Sequence, residues 1–164
     1  MLPNGNMSEV QRRQMSTIEA DNVFALRING TFDDCQDLVK QAFIQRDFLK
    51  SDQYLLAVNS INWTRIVGQI CYYFYAYNRL ANHENLNFSI PTGNFGNVFA
   101  CYSAFKMGLP IKTISVAVND NDILHRFFAS NDYSKKQVHE TISPSMDISV
   151  ASNFERLVYD FFLD

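Results

Sequence analysis

The chain has 164 residues, 47% of them hydrophobic, and 14 basic against 17 acidic side chains give it a net charge of -3. That length fits one domain able to bury a core, and the scattered basic residues exclude both a nucleic-acid footprint and a polybasic membrane patch. The longest apolar run, Ile70 to Tyr77, is far shorter than the ~20 residues that span a bilayer.

Met1 to Asn6 carries no basic n-region and no apolar h-region, so no signal peptide is expected. Cys35, Cys71 and Cys101 are widely separated, with no C-x-x-C pair, which predicts a reducing, cytoplasmic setting rather than a disulfide framework. His83, His125 and His139 lack metal-ligand spacing, so no zinc site is expected.

In chain order, Met7 to Ile18 predicts a short helix, with Ser8 as N-cap and Met7, Val10, Met15 and Ile18 at helical spacing. Val23 to Ile28 predicts a strand. Gly30 to Phe43 predicts an amphipathic helix opened by a capping residue and three acids. Asp33, Asp34 and Asp37 admit a catalytic or metal reading, but acids in the first turns of a helix stabilise its dipole, and that plainer reading is favoured.

Tyr54 to Val58 predicts a second strand, which delivers the chain to Asn59, Ser60, Asn62 and Arg65, and from there a helix runs to about Leu80. Polar side chains gathered where a strand hands over to a helix lie at the end of an α/β sheet where ligands bind. The competing reading is capping by Asn59 or Ser60 with Arg65 exposed. Tyr72, Tyr73, Phe74, Tyr75 and Tyr77 go round this helix, which predicts core and interface packing rather than a base-stacking platform.

Leu86 to Pro91 alternates as a strand, and Pro91 closes it because it donates no backbone hydrogen bond. Thr92 to Asn97 is a glycine loop, and the helix after it stops at Gly108 with Pro110 beyond. The two glycines predict a sharp turn and close approach to a ligand. Unpaired N–H groups with a helix dipole behind them suit a phosphate. The loop matches neither G-x-x-x-x-G-K-[ST] nor G-x-G-x-x-G, which speaks against a nucleoside triphosphate or a dinucleotide.

Ile111 to Val118 predicts a β-branched strand, and Asn119 to Asp122 a turn and N-cap for a helix over Ile123 to Phe128. That tetrad lacks the remaining ligands of a calcium loop. Asp122 lies three residues before His125, placed for a local hydrogen bond, and no nucleophile can be tied to His125. Thr141 to Ile148 reads as a turn-rich loop around Pro144, and Ser149 to Phe162 as a closing helix capped by Ser152 or Asn153. Strands alternating with helices predict an α/β fold, a mainly parallel sheet flanked by helices with right-handed crossovers.

Pro91-Thr92-Gly93-Asn94-Phe95-Gly96-Asn97 resembles the loop that holds the pyridoxal phosphate phosphate group in threonine synthases. Five further stretches resemble that family in the same order: Val10 to Met15, Gly30 to Asp37, Asn59 to Trp63, Asn121 to Phe127, and Ser143 to Ile148 followed by Ser152 to Arg156. The family belongs to the tryptophan-synthase-β-like, fold-type II class of pyridoxal-phosphate enzymes, so the resemblance implies part of its large domain. It implies pyridoxal 5'-phosphate as cofactor and a lyase converting O-phospho-L-homoserine and water to L-threonine and phosphate. Gly93, Asn94, Phe95, Gly96 and Asn97 would hold the cofactor phosphate, and Asn59, Ser60, Asn62 and Arg65 would line the cleft, where an arginine fork suits a phosphate or carboxylate.

The family's Phe-Lys-Asp type motif, which carries the Schiff-base lysine, and its Ser-Gly-Asp-Thr-Gly type loop have no counterpart here. Lys40 and Lys50 stand in unrelated contexts, and Lys106 follows the loop. No catalytic residue is therefore assigned, the chain alone is expected to be inactive, and the remainder of the catalytic domain is its expected partner. Two alternatives stay open: a non-catalytic module binding phosphate or pyridoxal phosphate, and a phospholyase acting on a related phosphorylated amino compound.

Overall fold

The computed structural model describes residues 2–4, 9–80 and 86–163, the side chains at 2, 3, 11, 32 and 33 excepted. The expected Ser8 cap, with Met7, and His83 lie outside the described residues. Contacts group the chain into two compact units, Met1–Ala57 and Val58–Asp164, each taken by itself.

In the first unit, β1 (Leu2–Pro3) pairs in parallel with β2 (Arg27–Ile28). Helix α1 is Glu9–Ser16, where Glu9 accepts from both Arg12 and Arg13, and their hydrogen bonds hold its carboxyl down at about 2. Helix α2 is Phe32–Ile44. Thr31 caps it in a reciprocal box, its hydroxyl accepting from the Asp34 N–H while Asp34 accepts from the Thr31 N–H at 2.6 Å. Asp34 is thus a capping group, a more specific role than the dipole stabilisation expected of the three acids, and Asp37 pairs with Lys40 at 3.8 Å.

Two expected strands are corrected. Of Val23 to Ile28 only the last two residues are ladder-paired, and Phe24 and Leu26 are exposed. Tyr54 to Val58 is irregular, with no ladder partner among the described residues. Its side chains still alternate, Tyr54, Leu56 and Val58 outward and Leu55 and Ala57 half-buried. Alternation gives an extended segment, but a strand also needs a neighbour to take its backbone hydrogen bonds.

The second unit holds the core. Helix α3 (Trp63–Arg79) leads to β3 (Leu86–Pro91), α4 (Gly96–Lys106), β4 (Ile111–Ala117), α5 (Ile123–Ser130), a 3-10 turn at Pro144–Met146 and α6 (Phe154–Leu163). β3 and β4 run parallel, from Leu86 beside Ile111 to Pro91 beside Ala117, with an irregularity between Leu86 and Asn87. A βαβ unit of this kind is what the alternation of strand and helix predicts.

Ile90 and Ile111 turn to one buried face with Ile66, Ile70 and Tyr73 of α3 and Val98, Ala100, Cys101 and Ala104 of α4. Asn87, Ser89, Thr113 and Ser115 are exposed. α4 ends as predicted: Gly108 has φ +100°, the left-handed region where glycine costs least. Of the aromatic run on α3, Tyr73 is buried while Tyr72 and Tyr75 are exposed. No helix among the described residues is long and apolar enough to cross a membrane.

Candidate functional site

The glycine loop leaves the C-terminal end of β3, with the Thr92 N–H still donating to the Ala117 carbonyl at 2.9 Å, and enters α4 at Gly96. Among the described residues no protein acceptor takes the N–H groups of Asn94, Phe95, Gly96 or Asn97. Four successive donors thus stand at the positive end of an 11-residue helix, an arrangement that suits an anion.

The means of turning differs from the prediction. Neither Gly93 nor Gly96 has positive φ; the left-handed residue is Phe95, at φ 63°. That conformation costs a non-glycine residue ~1–3 kcal/mol. It is held by burial of the ring, 1% exposed and edge-on to Phe154 at 5.1 Å between centroids. Phe154 in turn meets Phe127, Phe128 and Tyr133, an aromatic cluster beneath the loop.

The glycines supply space. A Cβ on Gly93 would stand 3.0 Å from the Met146 Cα, so the loop lies directly on the backbone of the 3-10 turn. One on Gly96 would meet Ile66 at 3.3 Å and Asn153 at 3.4 Å. The buried side-chain oxygen of Gln69, which has no hydrogen-bond partner among the described residues, lies on the same side.

Of the residues predicted for the cleft, Asn59 and Asn62 are turned to their own backbone. Asn59 Oδ1 accepts from the Ile61 N–H at 3.0 Å, and Asn62 Oδ1 accepts from the Thr64 N–H at 2.9 Å. The cap of α3 is therefore Asn62, not Asn59 or Ser60. Arg65 is exposed on the first turn of that helix.

Ser60 is tied to the loop through Asn153, which is fully buried. The Asn153 side chain donates to the Ser60 carbonyl at 2.9 Å, and its backbone N–H donates to the Asn94 carbonyl at 3.0 Å. Its Oδ1 accepts from Arg156 Nε at 3.0 Å, and Arg156 also donates to the Ile61 carbonyl at 2.8 Å while lying 5.5 Å over the Trp63 ring. Asn97 is held from α3 by the Tyr73 hydroxyl. Burial pushes Tyr73 upward, so its proton stays on.

Sequence reasoning took Asn153 for a helix cap and Tyr73 for core and interface packing, and gave Arg156 no role of its own. The only signal was the run from Ser152 to Arg156 among the stretches resembling the family.

Beyond β4, Asn119 Nδ2 lies within 3.0 Å of Thr141 Oγ1, Ser143 Oγ and Asp147 Oδ1, which closes the expected turn onto the 141–147 loop. The expected pairing of Asp122 with His125 is corrected: Asp122 accepts from Arg126 at 2.9 Å, and His125 is exposed. Arg126 also holds Asp132. A cavity of about 240 Å³ opens here, lined in part by Asp120, Arg126, Lys136 and His139 rather than by the glycine loop.

Lys106 lies at the far end of α4, about 15 Å along the helix axis from the loop, and pairs with Asp160 at 3.4 Å.

Over 161 residues, 98% of this chain and 34% of the relative, the chain is 56% identical to a threonine synthase of Pseudomonas aeruginosa. It is 46% identical to the threonine synthase of Saccharomyces cerevisiae over 97% of the chain and 32% of the relative. The chain thus spans about a third of the length of these curated relatives. Among solved structures, pyridoxal-phosphate-bound threonine synthase from Brucella melitensis matches at TM-score 0.77 and 50% identity, over 96% of this chain and 34% of that one. Threonine synthase from Escherichia coli matches at TM-score 0.87 and 37% identity, over 99% and 38%. The family model described as pyridoxal-phosphate dependent enzyme matches residues 2–163, and the chain belongs to that family.

Proposed function

We propose that this chain is the phosphate-holding part of a threonine synthase that converts O-phospho-L-homoserine and water to L-threonine and phosphate. The observation that carries the reading is the run of N–H groups from Asn94 to Asn97, without a protein acceptor among the described residues, at the mouth of β3. The chain bearing it is 56% identical to a threonine synthase over nearly its whole length.

The residues present fit the phosphate end of the cofactor. A dianion needs several convergent donors, and a helix N-terminus behind them stabilises it further. Bound pyridoxal phosphate supplies an electron sink for carbanion chemistry. Gly93, Asn94, Phe95, Gly96 and Asn97 bind and orient its phosphate group. Asn59, Ser60, Asn62 and Arg65 line the cleft. Asn59 and Asn62 fix the turn through their own backbone bonds, and the exposed Arg65 offers its guanidinium to a substrate anion.

No lysine in the sequence stands in the family's Schiff-base motif, and Lys106 is engaged away from the loop. The purified chain should therefore bind pyridoxal phosphate by its phosphate group and turn over no O-phospho-L-homoserine.

The decisive experiment replaces the matching third of the Pseudomonas aeruginosa relative with residues 2–163. Threonine formation from O-phospho-L-homoserine by the chimera is the expected result. A folded chimera that binds the cofactor yet forms no threonine would replace this reading with a binding module. Elimination of phosphate from another phosphorylated amino compound would replace it with a phospholyase.

A further inference from the structure

The loop's phosphate-facing donors are only as well aimed as the peptide planes that carry them. The Asn94 carbonyl and the Phe95 N–H belong to one peptide unit, and no cis peptide bond occurs in the described chain. In a trans unit the C=O and N–H point in opposite directions. The Asn94 carbonyl points at the Asn153 N–H, 3.0 Å away. The Phe95 N–H is thereby turned the other way, away from Asn153.

We propose that Asn153 and Arg156 are positioning residues for the phosphate loop, which fix this peptide plane from the start of α6. The proposal rests on the phosphate reading given above.

The Asn153 side chain does not touch the loop carbonyl; its backbone does. The side chain fixes that backbone between two anchors, the Ser60 carbonyl and the Arg156 guanidinium. Arg156 fastens the same turn a second time through the Ile61 carbonyl, and its plane rests over Trp63. One planar fork thus reaches a side-chain oxygen and a backbone oxygen through two separate nitrogens, a fixed geometry that lysine's single ammonium does not reproduce. The next residue, Phe154, packs against Phe95 itself. Two consecutive residues at the head of α6 therefore grip two consecutive residues of the loop, one by a hydrogen bond and one by a ring contact.

The test uses the full chain with inorganic phosphate as probe, read by the Phe95 amide shift and by the dissociation constant. In the wild type, phosphate should move the Phe95 amide proton downfield as it takes up a charge-assisted hydrogen bond. Asn153→Ala and Arg156→Met should weaken phosphate binding about tenfold and diminish that shift, because each removes an anchor worth a hydrogen bond to a charged group. Arg156→Lys should fall between.

Ile111→Val, a core change at the start of β4, should lower stability while leaving both readouts unchanged. Wild-type affinity and an undiminished Phe95 shift in folded Arg156→Met would overturn the proposal, and that variant decides if Asn153→Ala does not fold. A wild-type chain in which phosphate moves no loop amide would instead sink the phosphate reading, and the positioning role with it.

Discussion

The hydroxyl of Tyr73 lies 2.9 Å from the backbone carbonyl of Asn97 and 2.7 Å from its Oδ1, so one phenol on α3 holds both oxygens of the last loop residue. Tyr73→Phe keeps the ring and its edge-on contact with Phe88, and removes this tie together with the hydroxyl's interaction with the Cys101 thiol. It should cost about 1 kcal/mol of stability in a urea titration and loosen phosphate binding a few-fold, measured on the same preparation.

The three substitutions Gly93→Ala, Gly108→Ala and Gly68→Ala should part in sign. The added methyl at 93 meets backbone at 3.0 Å, and backbone cannot swing aside, so a loss of roughly 1–3 kcal/mol is expected. At 108 there is open space but φ is +100°, and the cost is that of the left-handed conformation, about 1 kcal/mol. At 68 a Cβ meets nothing within 4 Å on an exposed stretch of α3, and alanine should stabilise by roughly 0.5–1 kcal/mol. Denaturation midpoints of the three decide it.

Hydrogen bonding from Arg126 holds Asp122 below the usual carboxylate range, and the Ser134 hydroxyl and N–H, followed by Arg126, do so more strongly for Asp132. Both folded-state pKa values are depressed. Their contribution is therefore complete above the unfolded value near ~4 and lost as pH falls through the folded values. Arg126→Met should be less stable than wild type at pH 7, and the gap should narrow as pH is taken below about 4. A gap of constant size across thermal melts at pH 7, 4 and 2 would refute this.

Among the three thiols, Cys71 is exposed while Cys35 and Cys101 are buried, and burial pushes Cys101 up to about 12. Only the thiolate attacks a disulfide reagent. One equivalent of an aromatic disulfide reagent should react quickly with the native chain at pH 8. The other two should react only after denaturant is added.

What could be read from sequence follows the range of the forces involved. The stop at Gly108 and the close of β3 at Pro91 are settled within a few residues, and each stands where the sequence places it. Tyr54 to Val58 has the composition of a strand but lacks a partner, which is a property of a pair. Local rules picked out the glycine loop and assigned its turn to the glycines, whereas burial against Phe154 lets Phe95 take the left-handed position. Asn153 eluded local reasoning because its anchor on Ser60 lies 93 positions away.

The Asn119 amide carries two protons among three oxygens within 3.0 Å, one of them an oxygen of Asp147. The Thr141 hydroxyl also donates to that oxygen, at 2.7 Å, so the cluster has a fixed order of hydrogens. Deamidation of this single side chain, a gain of about one mass unit, would turn a donor into an acid and set carboxylate against carboxylate. The seam between the end of β4 and the loop under Gly93 is in that sense dated: it would open with the chemical age of one amide, before any bond in the core had changed.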